Sequence, residues 1–81
     1  MAVAYCWASG HIEFGSKLPD GALPLLRGRK SVVYERVIGA CRHGYRGELF
    51  VPGVPEAPNP LAALDAVRAF CARLDPARKV A

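Results

Sequence analysis

Apolar and polar positions change their spacing several times along the chain, and each change marks an element. Val3 to Trp7 sets Val, Tyr and Trp among Ala and Cys, a β-branched and aromatic mixture that favours a strand. After Ala8-Ser9-Gly10 comes His11-Ile12-Glu13-Phe14, in which Ile12 and Phe14 share one face while His11 and Glu13 take the other, so the two runs predict a β-hairpin. Pro19-Asp20-Gly21 is a tight turn, Pro presetting φ and Gly supplying a positive one. Ala22 to Arg27 is short and apolar, but Pro24 cannot donate to a ladder, so this run is expected as an edge or irregular strand closed by Gly28.

The period then lengthens. From Arg29 to Arg42, Val33, Val37, Ala40 and Cys41 recur at the i, i+4, i+7, i+8 spacing of an amphipathic helix, with Tyr34 and Ile38 flanking them. Ser31 is the available cap if the helix starts late, and Gly44 is the expected C-terminal stop. Glu48 to Val51 predicts a compact strand ended by Pro52-Gly53. Val54 to Pro58 is expected as a stiff connector, because its prolines lack N–H donors and bias their predecessors to extended backbone. Asn59 before Pro60 pairs a capping side chain with the residue best suited to open a helix, which should run to about Leu74. Its apolar stripe is Ala63, Leu64, Val67, Phe70, Cys71 and Leu74, with Asp65, Arg68 and Arg73 turned away. Two helical stripes need a sheet face to cover. The expected architecture is therefore α+β in two layers, a small mostly antiparallel sheet of three or four strands covered by two helices. Residues 1–81 read as one compact domain with a frayed tail over 76–81.

Composition narrows the function classes. Hydrophobic residues make up 52% and charged ones 22% of the chain, a balance that folds and does not stay disordered. An 81-residue domain buries only ~60% of the surface its unfolded chain exposes, which leaves little core to hollow out into an enclosed active site. No apolar run approaches the roughly 18 residues of a membrane span, and the first residues lack a basic leader, so a soluble, unexported protein is expected. Cys6, Cys41 and Cys71 are odd in number and widely spaced, which reads as buried thiols in a reducing cytosol.

Candidate chemistry is sparse. Cys41-x-His43, with Cys6 and His11, is the nearest approach to a metal set, but it lacks knuckle spacing, and neither metal nor cofactor is expected. Cys41 or Cys6 as a nucleophile with His43 or His11 as base would lack a third group, and burial of Cys41 would raise its pKa, so the chain is not expected to be an enzyme. Ser9, His11 and Glu13 read as hairpin turn and solvent face.

Charge is more informative. The chain carries 11 Lys+Arg against 7 Asp+Glu, a net +4. Six of those cations, Arg27, Arg29, Lys30, Arg36, Arg42 and Arg46, lie between positions 27 and 46 with only Glu35 opposing them. On a continuous helix Arg29, Arg36 and His43 would fall nearly in line along one flank. Five of the six are Arg, whose planar fork suits carboxylate or phosphate. Only Tyr34 and Tyr45 accompany them in sequence, so base stacking is not expected. These six are the candidate partner-binding residues. A charge of +4 is modest for a dedicated nucleic-acid binder and no helix-turn-helix, RRM or zinc-finger pattern occurs, which favours an acidic protein surface. A small DNA-binding protein that shields DNA from nucleases stays open as the alternative.

Four segments carry a resemblance: Tyr5-x-Trp7-Ala8-Ser9-Gly10-x-Ile12-Glu13-Phe14-Gly15, Pro19-x-Gly21-Ala22-Leu23-Pro24, Arg42-His43-Gly44-Tyr45, and Leu49-x-Val51-Pro52-Gly53-Val54-Pro55-Glu56-Ala57. Together they resemble small phage and prophage proteins labelled host-nuclease inhibitors, a genomic setting that also holds anti-CRISPR proteins. The resemblance implies a stoichiometric inhibitor, acting in the host bacterial cytoplasm, that binds a defence complex and blocks DNA binding or nuclease recruitment. The expected partner is a type I CRISPR-Cas surveillance complex or another host nuclease protein. The basic patch departs from the acidic DNA mimicry used by many such inhibitors. Pro24 weakens pairing across the expected edge strand, so a monomer is expected.

Overall fold

Strands β1 (Ala2–Cys6) and β2 (His11–Gly15) form the expected hairpin, with Ala4 opposite Phe14, Tyr5 opposite Glu13 and Cys6 opposite Ile12. That register sends Ala4, Cys6, Ile12 and Phe14 to one face of the sheet and Val3, Tyr5, His11 and Glu13 to the other. The structure, a computed structural model, describes residues 1–54 and 60–74, with side chains in the last helix from position 64 onward. The hairpin turn depends on Gly10, which has φ +85° and is buried. A Cβ there would meet the Val54 side chain at 3.1 Å, and the Gly10 carbonyl accepts the Val51 N–H at 2.9 Å. The turn thus anchors the 51–54 segment across the end of the sheet.

Strand β3 (Leu23–Gly28) lies at the sheet edge, as Pro24 requires. Its pairing with β1 slips: Ala4 faces Leu26 and Tyr5 faces Pro24, leaving Leu25 as an extra residue. The bulge lets adjacent Leu25 and Leu26 both turn into the core, 0% and 6% exposed, against the usual alternation.

Helix α1 (Lys30–Ala40) is shorter than its apolar spacing suggests. Its N-cap is Arg29, in extended conformation (φ −63°, ψ 137°), which accepts the Val33 N–H at 2.9 Å but provides no side-chain cap. Ser31, the expected cap, sits inside the helix, because Gly28 turns the chain from β3 into α1 without slack. At the other end Cys41 returns to extended backbone (φ −88°, ψ 165°) while its N–H still reaches the Val37 carbonyl at 3.0 Å. The helix therefore stops four residues before Gly44, and Ala40 is exposed while Cys41 is buried.

Residues expected as the last helical turn form β4 (Arg42–His43), which pairs antiparallel with β5 (Leu49–Phe50). Gly44 serves this hairpin instead of a helix end: a Cβ there would lie 2.6 Å from Phe50 Cε2, so the ring packs on bare backbone. With β4 the sheet has five strands, in the order β3-β1-β2-β5-β4, every neighbouring pair antiparallel, against the three or four expected.

Helix α2 (Pro60–Leu74) has the expected bounds. It buries Val67, Phe70 and Leu74, half-buries Leu64 and Cys71, and exposes Asp65, Arg68 and Arg73. The Asn59 cap, the 55–58 connector, the side chain of Ala63 and the 76–81 tail lie outside the described residues. Both helices cover the inner sheet face, α1 against β1 and β3, α2 against β3 and α1. The core there joins Ala4, Cys6, Ile12, Leu25 and Leu26 to Val33, Val37, Val67, Phe70 and Leu74. On the outer face a second, smaller cluster of Val3, Tyr5 and Ala22, flanked by Trp7 and Leu18, covers only the β3 side. Among the described residues no helix is long and apolar enough to cross a membrane.

Candidate functional site

All six candidate cations are exposed, but the fold distributes them over three places. Arg27, Arg29 and Lys30 flank the junction of β3 and α1. Arg27 stands opposite Val3 and so shares its outer face, Arg29 is the α1 N-cap, and Lys30 is the first helical residue with Nζ 5.6 Å from the Tyr34 ring centroid. Arg42 and Arg46 belong to the β4–β5 hairpin at the opposite sheet edge, four strand spacings or about 19 Å away. Arg36 lies between them on α1 and donates from Nη1 to the Leu74 carbonyl at 3.5 Å.

The single flank expected for Arg29, Arg36 and His43 does not form, because His43 lies in β4 beyond the end of the helix. The bond from Arg36 also changes its meaning. A guanidinium at the last carbonyl of α2 satisfies an orphan acceptor and opposes the negative end of the helix, so Arg36 ties the two helices together.

Arg29 and Lys30 have the reverse electrostatics. They stand at the positive end of α1, whose first turn holds no acidic residue, and each cation there is unfavourable by about 0.3–1 kcal/mol at low ionic strength. No ion pair engages either of them among the described residues. Glu48, next to Arg46, is turned into its own hairpin, where its carboxylate accepts the Arg46 backbone N–H at 2.6 Å.

The outer face holds a group of side chains that sequence spacing did not bring together. The Trp7 backbone N–H donates to the His11 carbonyl at 2.9 Å, His11 pairs with Phe50 across β2 and β5, and Phe50 pairs with Arg42 across β5 and β4. These four side chains form one row, from Trp7 just past the end of β1 across β2, β5 and β4. The His11 and Phe50 rings meet at 5.5 Å with 64° between planes, and the Arg42 guanidinium lies 5.2 Å from the Phe50 centroid. Beside the row, Glu13 accepts the Tyr5 hydroxyl at 3.3 Å and lies 3.4 Å from His11 Nε2. The absence of aromatics near the cations, read along the chain, is thus corrected in space: Arg42 lies over a ring that is eight positions away in sequence. The alternations Tyr5-x-Trp7 and His11-x-Glu13 marked the outer face, but β4 was hidden inside a helix-like pattern.

The thiols are placed for packing. Burial, with Cys71 nearby adding to it, pushes the Cys6 thiol up to about 11, and burial also raises Cys41, offset in part by a hydrogen bond to its own backbone. Cys71 Sγ points to the Pro24 carbonyl at 3.8 Å. Among the described residues no three of His, Cys, Asp and Glu gather as a metal set. Compared with protein-family models, with curated proteins and with solved structures, the chain matches none.

Proposed function

We propose that this protein is a stoichiometric binding protein that engages an acidic macromolecular surface, and that it inhibits a bacterial defence nuclease system in the manner of the phage inhibitors it resembles. The observation that carries the binding reading is the placement of Arg29 and Lys30. Both are exposed, neither is in an ion pair among the described residues, and both stand where a cation weakens the helix it belongs to. Lys30 has a local contact with the Tyr34 ring and Arg29 provides no side-chain cap, so helix stability gives little reason for two cations here, whereas a partner's carboxylates would neutralise both the cations and the helix end. Arg27 extends this surface at the β3 edge. Arg42 and Arg46 form a second basic area at the far edge, and Arg36 supports the helix pair.

On this reading the partner is a type I surveillance complex, blocked in target binding or nuclease recruitment without turnover. The test is a titration of the purified protein against an assembled complex, with duplex DNA in parallel at low and physiological salt. The expected result is binding to the complex that Arg29→Asp with Lys30→Glu weakens, and no duplex binding at physiological salt. Duplex binding whose affinity falls steeply with salt, without binding to the complex, would replace the inhibitor with a DNA-protecting protein.

A further inference from the structure

We infer that the open half of the outer sheet face, the row Trp7, His11, Phe50 and Arg42, is a stacking platform for single-stranded nucleic acid. Three strand spacings separate the ends of the row, about 14 Å, enough for two unstacked bases side by side. Trp7, His11 and Phe50 are half-buried, so each ring is held by its neighbours while part of it remains accessible. The small outer cluster reaches only the Trp7 end of the row, where the Trp7 ring meets Tyr5 edge-on at 5.9 Å, and among the described residues both helices lie on the opposite sheet face.

Charge selects the occupant. Arg42 lies on the platform over Phe50, and the exposed Arg46 in the adjoining turn adds a second positive charge at that end. Of the acidic residues at the face, Glu13 is engaged by Tyr5 and His11, and Glu48, beside the Phe50 ring, accepts the Arg46 backbone N–H. The whole chain carries +4. Aromatic faces beside a guanidinium accept any base, because every base has a π-face, but only where the bases are free of a duplex stack. The platform therefore takes single strands in preference to duplex. This inference stands apart from the inhibitor reading, which rests on Arg29 and Lys30 at the N-terminus of α1.

Trp7 is the only tryptophan, so its fluorescence reports directly from the row. The experiment titrates the full chain with an oligothymidylate and with a duplex of equal length, following Trp7 emission, for the native protein and for Arg42→Ala, Phe50→Ala and Arg29→Asp. The expected result is saturable quenching by the single strand, weaker binding of the duplex, and about tenfold loss of affinity in either Arg42→Ala or Phe50→Ala. Arg29→Asp should change it far less. Arg42 is exposed, so its truncation keeps the test valid if Phe50→Ala melts early. Absence of quenching at low salt, equal affinity for duplex, or a loss in Arg29→Asp that Arg42→Ala does not share would each overturn the proposal. So would shielding of Trp7 by a protein partner with no response to nucleic acid.

Discussion

Replacing Arg29 by Asp should make the protein more stable and a poorer binder at once. Arg29 already has the extended backbone of an N-cap, yet no side chain caps α1. Asp at that position supplies a carboxylate that accepts one of the orphan N–H groups of the first turn, a contribution of about 0.5–2 kcal/mol. It also removes one charge from the positive helix end and adds one of opposite sign, each change favourable by about 0.3–1 kcal/mol at low ionic strength. The site is exposed, so the lower ends of these ranges apply, and the net gain is about 1 kcal/mol. For a domain of this size each kcal/mol moves the melting temperature by about 4–8 °C. Thermal melts of the native chain, Arg29→Asp and Arg29→Ser at two salt concentrations separate the parts. Ser adds a cap and removes the cation without adding a negative charge, so the Asp–Ser difference is the share of the added carboxylate charge, and it should shrink as the Debye length falls from about 10 Å at 0.1 M salt to about 3 Å at 1 M. An Asp variant that melts at or below the native temperature would refute the reasoning about the helix end. An Asp variant that is stabilised but still binds the partner at full strength would remove Arg29 from the interface.

Arg36→Glu should behave in the opposite way, losing about 0.5–1.5 kcal/mol as the bond to the Leu74 carbonyl is replaced by repulsion at the same helix end; denaturant melts check this, and an unchanged midpoint would deny Arg36 its tie between the helices. Gly44→Ala should cost about 1–3 kcal/mol, because the new methyl would sit 2.6 Å from the Phe50 ring and force it to move; a variant as stable as the native chain would contradict that packing. For the Cys6 thiol the folded pKa of about 11 stands above its ordinary value of 9.0, so its contribution to stability is complete below pH 9 and is lost as the pH rises towards 11. Denaturation midpoints measured across that window should fall, and the fall should be smaller in Cys6→Ala.

Legibility followed the range of the physical cause. The β1–β2 hairpin and α2 were readable because alternation, a glycine turn and a Pro at the first helical position are local, and the bounds Pro60–Leu74 agree with the sequence pattern. The edge position of β3 followed from the missing N–H of Pro24 alone. The bulge at Leu25 was not readable, since it depends on a register slip against Ala4 and Tyr5. The end of α1 misled for a related reason. Cys41 occupies a helix-period position and is buried, but it is held there by extended backbone that continues into β4, and nothing within the Val33–Cys41 spacing distinguishes the two.

That one backbone change at Cys41 decides how the cations are divided. Had α1 continued through His43, Arg29, Arg36 and His43 would have fallen nearly in line along one helix flank, as their seven-residue spacing suggests. Because the chain turns extended and Gly44 lets Phe50 pack against bare backbone, Arg42 is carried round to the outer sheet face and laid over that ring. Arg36 stays behind to meet the end of α2, and Arg29 with Lys30 remains at the far end of α1. A Gly44→Ala chain that stays folded should therefore disturb the row through Phe50 while leaving the α1 end intact. Single-strand quenching of Trp7 should then weaken while binding to the acidic partner persists, and a parallel loss of both would mean that one continuous surface serves the two.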